Sequence, residues 1–324
     1  VDKTKLAAWF QGWMVVATPE VVTKGGPGSG NWGHAGRPGQ RGGSVPKSFA
    51  MSLATGRDWQ ERQQAAREAA GKSKPQEPQG LKAPKFGSTK EAEQWVESQG
   101  LVSGRCFFKG FDLDVAQQTV DSLAENINRV PQLKGQIKYM GNNREVNKLK
   151  REEARPEVEA RVNRIFSSMY GEDRRRMVDR LLKKRPYTIR MVPRAYAIAV
   201  GKRDFYISYK WAKDGAALRA SLENGVRQGW HPPGTASPKA IVDHEIGHVL
   251  EGILQLRRDA PLAAICQAAI SNRDYPSQYA RKNASEFIAE AWGEFLNNPN
   301  PGYVSQQVGN RIMEIVREGA RPKW

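Results

Sequence analysis

The chain has 324 residues, with 51 Lys and Arg against 34 Asp and Glu, for a formal charge of +17. Only 39% of residues are hydrophobic, and no run approaches the roughly 20 apolar residues that a spanning helix needs, which argues against a membrane protein. Two cysteines, Cys106 and Cys266, exclude a disulfide-stapled domain and read as free core thiols.

The charge is unevenly placed. Residues 1–100 carry +5, residues 101–240 carry +13 and residues 241–324 carry −1. A basic middle region favours polyanions. Its densest stretch, 148–185, includes Arg174, Arg175, Arg176, Arg180, Lys183, Lys184 and Arg185. Glu152, Glu153, Glu157 and Glu159 intersperse its first half, so a solvated helix face is the simpler reading. Nonspecific DNA contact through 148–185 is the functional one.

Residues 4–18 are apolar but short, and Lys3 and Lys5 ahead of them allow a secretory leader as an alternative. Residues 24–44 (KGGPGSGNWGHAGRPGQRGGS) hold nine glycines in 21 positions, a composition that does not bury apolar area. Residues 57–72 read as a short polar helix and 73–89 as a Pro- and Gly-rich linker. Residues 1–100 are therefore expected to form a flexible Gly/Pro-rich region with short helices, and 101–324 a folded domain. The order of residues 26–39 (GPGSGNWGHAGRPG) resembles a segment of phage structural and head-morphogenesis proteins.

Beyond residue 100 the pattern becomes globular. Leu113, Val115, Ala116, Val120, Leu123 and Ile127 have helical spacing over 112–129, and Pro131 closes that helix. Residues 137–140 suit a short strand. Residues 144–185 suit helices in two or more pieces, with Pro156 in a first turn and Gly171 as a break. Residues 195–200 and 205–209 are β-branched and aromatic, and Gly201–Asp204 suits the turn of a hairpin. A helix follows over 214–228, then a loop over 229–234. The fold class expected is α+β, mainly helical with a small sheet.

Residues 238–254 (PKAIVDHEIGHVLEGIL) contain His244-Glu245-Ile246-Gly247-His248. On a helix, i and i+4 share a face, so both imidazoles can reach one ion at about 2.0–2.1 Å, a distance that suits zinc. Glu245 can then act as general base on a water held beside the ion. With four histidines and 22 glutamates in the chain, random order gives this pattern in roughly one chain in 400. The alternative is a buried helix with two hydrogen-bonded histidines. No histidine follows His248, so a third ligand must be a carboxylate. Glu286, Glu290 and Glu294 fall on one stripe of a helix over 283–297 that Asn283 can cap. The expected layout is two antiparallel helices, one giving both histidines and the other a glutamate.

This arrangement resembles the gluzincin metallopeptidases, and more closely the catalytic domain of anthrax lethal factor and its relatives, which also occur in phage head proteins. The residues that carry the resemblance are the HExxH at 244–248 and residues 279–291 (YARKNASEFIAEA). The family pattern there is Y-x-R-x-N-x-x-E-F-x-A-E-A. The resemblance implies a zincin-like fold and a Zn2+ cofactor held by His244, His248 and Glu286. It makes Glu245 the catalytic base, Tyr279 a hydrogen-bond donor to the oxyanion, and Glu290 the group that orients a ligand histidine. It also implies a protein or peptide substrate laid along a strand edge, which 195–209 can offer.

Each residue has a plainer reading. Tyr279 can be a packed surface tyrosine, with Tyr275 as a competitor for its role. Glu290 and Glu294 can be solvated, Asp243 can support a ligand from behind or be only a helix-surface charge, and His231 can be a structural or exposed loop residue. Taken together, the expectation is a zinc endopeptidase, phage-encoded and virion-associated, found in the virion or the host cytoplasm. Its partners would be peptide substrates and phage capsid or portal proteins. The alternatives are a structural head or DNA-contacting protein with a non-catalytic zincin module, and a delivered toxin-like protease.

Overall fold

A computed structural model describes residues 80–319, apart from 185–186, 190 and 192–194. The glycine-rich segment, the apolar run over 4–18 and the helix expected over 57–72 lie outside the described residues. The described part is mostly helical with one four-stranded sheet, an α+β arrangement. No helix among the described residues is long and apolar enough to cross a membrane.

Described residues ahead of position 100 already pack on the main core. Helix α1 (Thr89–Ser98) starts on a Ser88 cap and buries Ala92 and Val96 in the main core. Ahead of it, Asn128 exchanges two 2.8 Å hydrogen bonds with the Leu81 backbone, and Gln117 binds the backbone of Pro84 and Phe86. Proline and glycine set the composition of this stretch, but long-range hydrogen bonds tie it to the core.

Strand β1 (Val102–Phe107) leads into α2 (Leu113–Arg129), which Asp112 caps. The apolar stripe Val115, Ala116, Val120, Leu123 and Ile127 is buried, as its spacing predicts. Pro131 opens a short 3-10 turn before β2 (Ile137–Asn142). Helices α3 (Asn143–Ile165) and α4 (Gly171–Leu182) follow, then β3 (Ala197–Val200) and β4 (Asp204–Ile207). The sheet order is β1-β2-β4-β3, with β1-β2 and β2-β4 parallel and β3-β4 antiparallel, so β3 is an edge. Gly201 and Lys202 both have positive φ (61° and 56°), the backbone that a tight hairpin turn requires.

Pro156 does not open a helix. It sits inside α3, exposed like Glu152 one turn earlier, so water can serve the carbonyl left without its amide partner. Val158 and Val162 of α3 pack with Met177, Val178, Leu181 and Leu182 of α4 in a small cluster separate from the main core.

The rest is helical: α5 (Tyr209–Ala212), α6 (Gly215–Arg227), α7 (Pro238–Ile253), α8 (Ala260–Ser271), α9 (Ala284–Asn297) and α10 (Tyr303–Arg317). Helix α7 packs on both α9 and α2. Ser237 caps it, Pro238 occupies its first turn, and Val242, Ile246, Val249 and Leu250 are fully buried.

Asp243 is the polar centre of this packing. It is fully buried rather than a surface charge. It accepts hydrogen bonds from Ser122 and Asn126 of α2, from Lys239 one turn earlier, and from Asn297 of α9. Asn126 in turn accepts from the Trp292 indole at 2.9 Å. Burial alone would lower the Lys239 ammonium, but Asp243 and Glu125 raise it. One carboxylate thus joins three helices. Asp243→Ala should leave a lysine and three neutral donors without their acceptor and lower the unfolding free energy by about 3–5 kcal/mol in urea titrations.

Candidate metal centre

Helices α7 and α9 bring the site together because small residues line their contact. A Cβ added at Gly247 would lie 2.9 Å from the Ala289 Cα, and one at Gly293 would lie 3.7 Å from the Ala240 carbonyl. Asn283 caps α9 by accepting from the Glu286 amide at 2.9 Å, which anchors the turn that carries Glu286.

His244, His248 and Glu286 converge, each offering one ligand atom, with all three atoms within 4.8 Å of one another. Glu286 Oε2 lies 3.3 Å from Nε2 of His244 and 3.3 Å from Nε2 of His248. Two ligands at about 2.0–2.1 Å in a tetrahedral shell stand about 3.3 Å apart. Glu286 Oε2 is also buried and has no hydrogen-bond partner. An orphaned carboxylate oxygen between two imidazole nitrogens suits a cation, and the two-nitrogen, one-oxygen set suits zinc. The donor set therefore fits the ion that the sequence implies.

The backs of both imidazoles are held. His244 Nδ1 lies 2.9 Å from Glu290 Oε1. Ser277 donates to Glu290 Oε2 at 2.7 Å, and His231 Nδ1 approaches Oε1 at 3.6 Å. Glu290 is thus buried and partnered rather than solvated. His248 Nδ1 lies 2.9 Å from the Ser285 hydroxyl, which donates to buried Glu251. Glu294 stands apart from this group. It is buried and accepts from Ser305, Asn298 and the Gly302 amide, holding the turn into α10.

The charges are strongly coupled. Burial would depress the His244 imidazolium, but Glu286, Glu290 and Glu245 outweigh it and hold it well above the usual histidine range. Burial would raise Glu286, yet His244 and His248 hold it well below the usual carboxylate range. Burial is likewise outweighed at Glu290, which His231 and His244 bring down to about 2.

Beside this group is a cavity of about 470 Å³. Glu245, His244, Tyr279, His231 and Trp230 line it, together with Tyr196 and Ala197 at the β3 edge. Tyr279 opens a 3-10 turn with its ring 5.9 Å from that of His244. Burial first, then Glu286 and Glu245, push its phenol far above the usual range, so it remains a hydrogen-bond donor at neutral pH. Tyr275 instead meets Phe287 edge-on, with Arg281 over its ring. Cys106 and Cys266 are free and buried, and burial pushes the Cys266 thiol up to about 12.

Sequence reasoning passes over Ser285, Glu251 and the proximity of His231. Glu251 carries a weak signal, since three residues after His248 is the same helical face. His231 carries none, because its partner Glu290 is remote in the chain.

No protein-family model, curated protein or solved structure matches this chain.

Gly247 sets how near the two helices can come. Gly247→Ala should force α7 from α9 by a few tenths of an ångström and weaken zinc binding about tenfold or more, read by competition with a chromophoric chelator.

Proposed function

We propose that this chain is a zinc-dependent endopeptidase of the gluzincin type. The observation that carries the reading is the orphaned Glu286 oxygen set 3.3 Å from both histidine Nε2 atoms. His244, His248 and Glu286 would hold the ion. When bound, zinc would supply Lewis-acid polarisation of a peptide carbonyl and of water.

The chain's own residues account for the rest. Glu245 borders the cavity next to His244, where its carboxylate takes a proton from the attacking water and passes it to the departing amine. Tyr279 borders the same cavity and donates a hydrogen bond from its phenol to the developing oxyanion. Glu290 holds the His244 ring by its Nδ1. Strand β3 is a sheet edge running into the cavity at Ala197, so an extended peptide can add to it and present its backbone beside Glu245. These features favour a protein or peptide substrate. The glycine-rich segment supports a phage-encoded, virion-associated setting, in the virion or the host cytoplasm, with capsid or portal proteins as partners.

Glu245→Gln keeps the shape and removes the base. It should retain stoichiometric zinc and lose peptide cleavage by about 10²–10⁴-fold. Chelator should abolish wild-type cleavage, and added zinc should restore it. Stoichiometric zinc without cleavage of a diverse peptide library would reduce the centre to a structural site.

A second reading has its own observation. Arg176, Arg180 and Lys183 lie exposed on one stripe of α4, in a hairpin whose core is separate from the metal centre. This favours contact with packaged DNA or another polyanion. Replacing all three with glutamine should reduce the slope of log K against log salt for duplex DNA by about 2–3 and leave zinc content unchanged. An unaltered slope rules out this face.

A further inference from the structure

The mechanism leaves one buried carboxylate unused. Glu251 lies one turn beyond His248 on α7 and is 2% exposed. Arg257 forms an ion pair with it, and Lys202 Nζ stands 3.6 Å away. Ser285 donates its hydroxyl to Glu251 Oε2, and the Ser285 Oγ itself lies 2.9 Å from His248 Nδ1.

Counting protons sets the direction of this chain. A carboxylate flanked by two cations only accepts, so the single Ser285 proton goes to Glu251. The Ser285 oxygen is then an acceptor toward His248, and Nδ1 must carry the ring proton. In the neutral ring, the form that can bind an ion, Nε2 then keeps its lone pair on the side that faces Glu286.

We propose that Glu251, acting through Ser285, is a positioning residue that fixes the Nδ1–H tautomer of His248 and thereby holds Nε2 ready for the ion. The proposal rests on the metal-centre reading above. It gives the two histidines different supports. His244 meets a carboxylate directly, whereas His248 meets one through a hydroxyl that Glu251 orients. Lys202 belongs to the β3–β4 turn, so the same carboxylate also ties the substrate-edge hairpin to the metal helix.

The test compares the full chain with Ser285→Ala, Ser285→Thr and Glu251→Gln. Zinc affinity is read by chelator competition, and ligand geometry by the visible spectrum of the cobalt form. Ser285→Ala leaves His248 Nδ1 without an acceptor. Glu251→Gln offers an amide proton to the Ser285 oxygen and lets the hydroxyl turn toward the ring, which favours the wrong tautomer. Both should lose about 10–100-fold in zinc affinity and shift the cobalt spectrum. Ser285→Thr keeps the hydroxyl and should stay near wild type in both readouts. Should Glu251→Gln fail to fold by circular dichroism, the Ala and Thr pair decides alone. Wild-type affinity and an unshifted cobalt spectrum in Ser285→Ala overturn the proposal and leave the metal centre standing. A wild-type chain that takes up no zinc overturns both.

Discussion

The site depends on one contact, the close approach of α7 to α9. Two imidazoles one turn apart on α7 are of no use to a shared ion unless a third ligand arrives from elsewhere at the same depth. Gly247 and Ala289 permit that approach, and the Asn283 cap holds the first turn of α9 at its end. The result is a carboxylate oxygen equidistant from two ring nitrogens. Asp243, on the buried side of the same helix, locks α7 to α2 and α9 through side chains that never touch the site. A single helix therefore carries its packing anchor and its chemistry on adjacent positions, Asp243 and His244.

The division of acids along α9 follows from the same geometry. Glu286, Glu290 and Glu294 occupy one stripe, and all three are buried. The first meets both His244 and His248, the second the back of His244, and the third only Asn298, Ser305 and the Gly302 amide. Their environments pull them apart. Histidine partners depress Glu286 and Glu290, whereas burial, offset by neutral donors alone, raises Glu294. Equal spacing in the sequence thus yields three different tasks.

That division marks how much the sequence can disclose. The HExxH helix, its glutamate partner on a capped second helix, the hairpin and the stripe of α2 are local periodicities, and local patterns are legible. What decides burial of a charge is who donates to it. The packing role of Asp243 leaves no local trace because Ser122 and Asn126 lie more than a hundred residues away. His231 reads as a loop residue because Glu290 is on another helix. Residues 73–89 read as linker from their proline and glycine, yet Asn128 and Gln117 hold the backbone at Leu81 and Phe86. Pro156 reads as a helix start, yet packing on α4 carries the helix through it. The parallel pairing of β2 with β4 joins strands about sixty residues apart and leaves no local trace.

Four buried carboxylates, Glu245, Glu251, Glu286 and Glu290, surround two imidazoles within two helices. Such a density of negative charge in low dielectric demands a cation in the folded state. At the edge, Arg257 and Lys202 meet Glu251. At the centre, no lysine or arginine pairs with Glu286 or Glu290 among the described residues. A proton on His244 answers the need, which is why its imidazolium persists above the usual range while Glu286 and Glu290 lie below theirs. A divalent ion bound at the two Nε2 atoms would displace that proton and deliver more charge to the same point. Proton and metal would then compete for the same carboxylates, which also make the protonated fold tolerable. An ion bound there would link its binding to folding and strengthen the contact between α7 and α9.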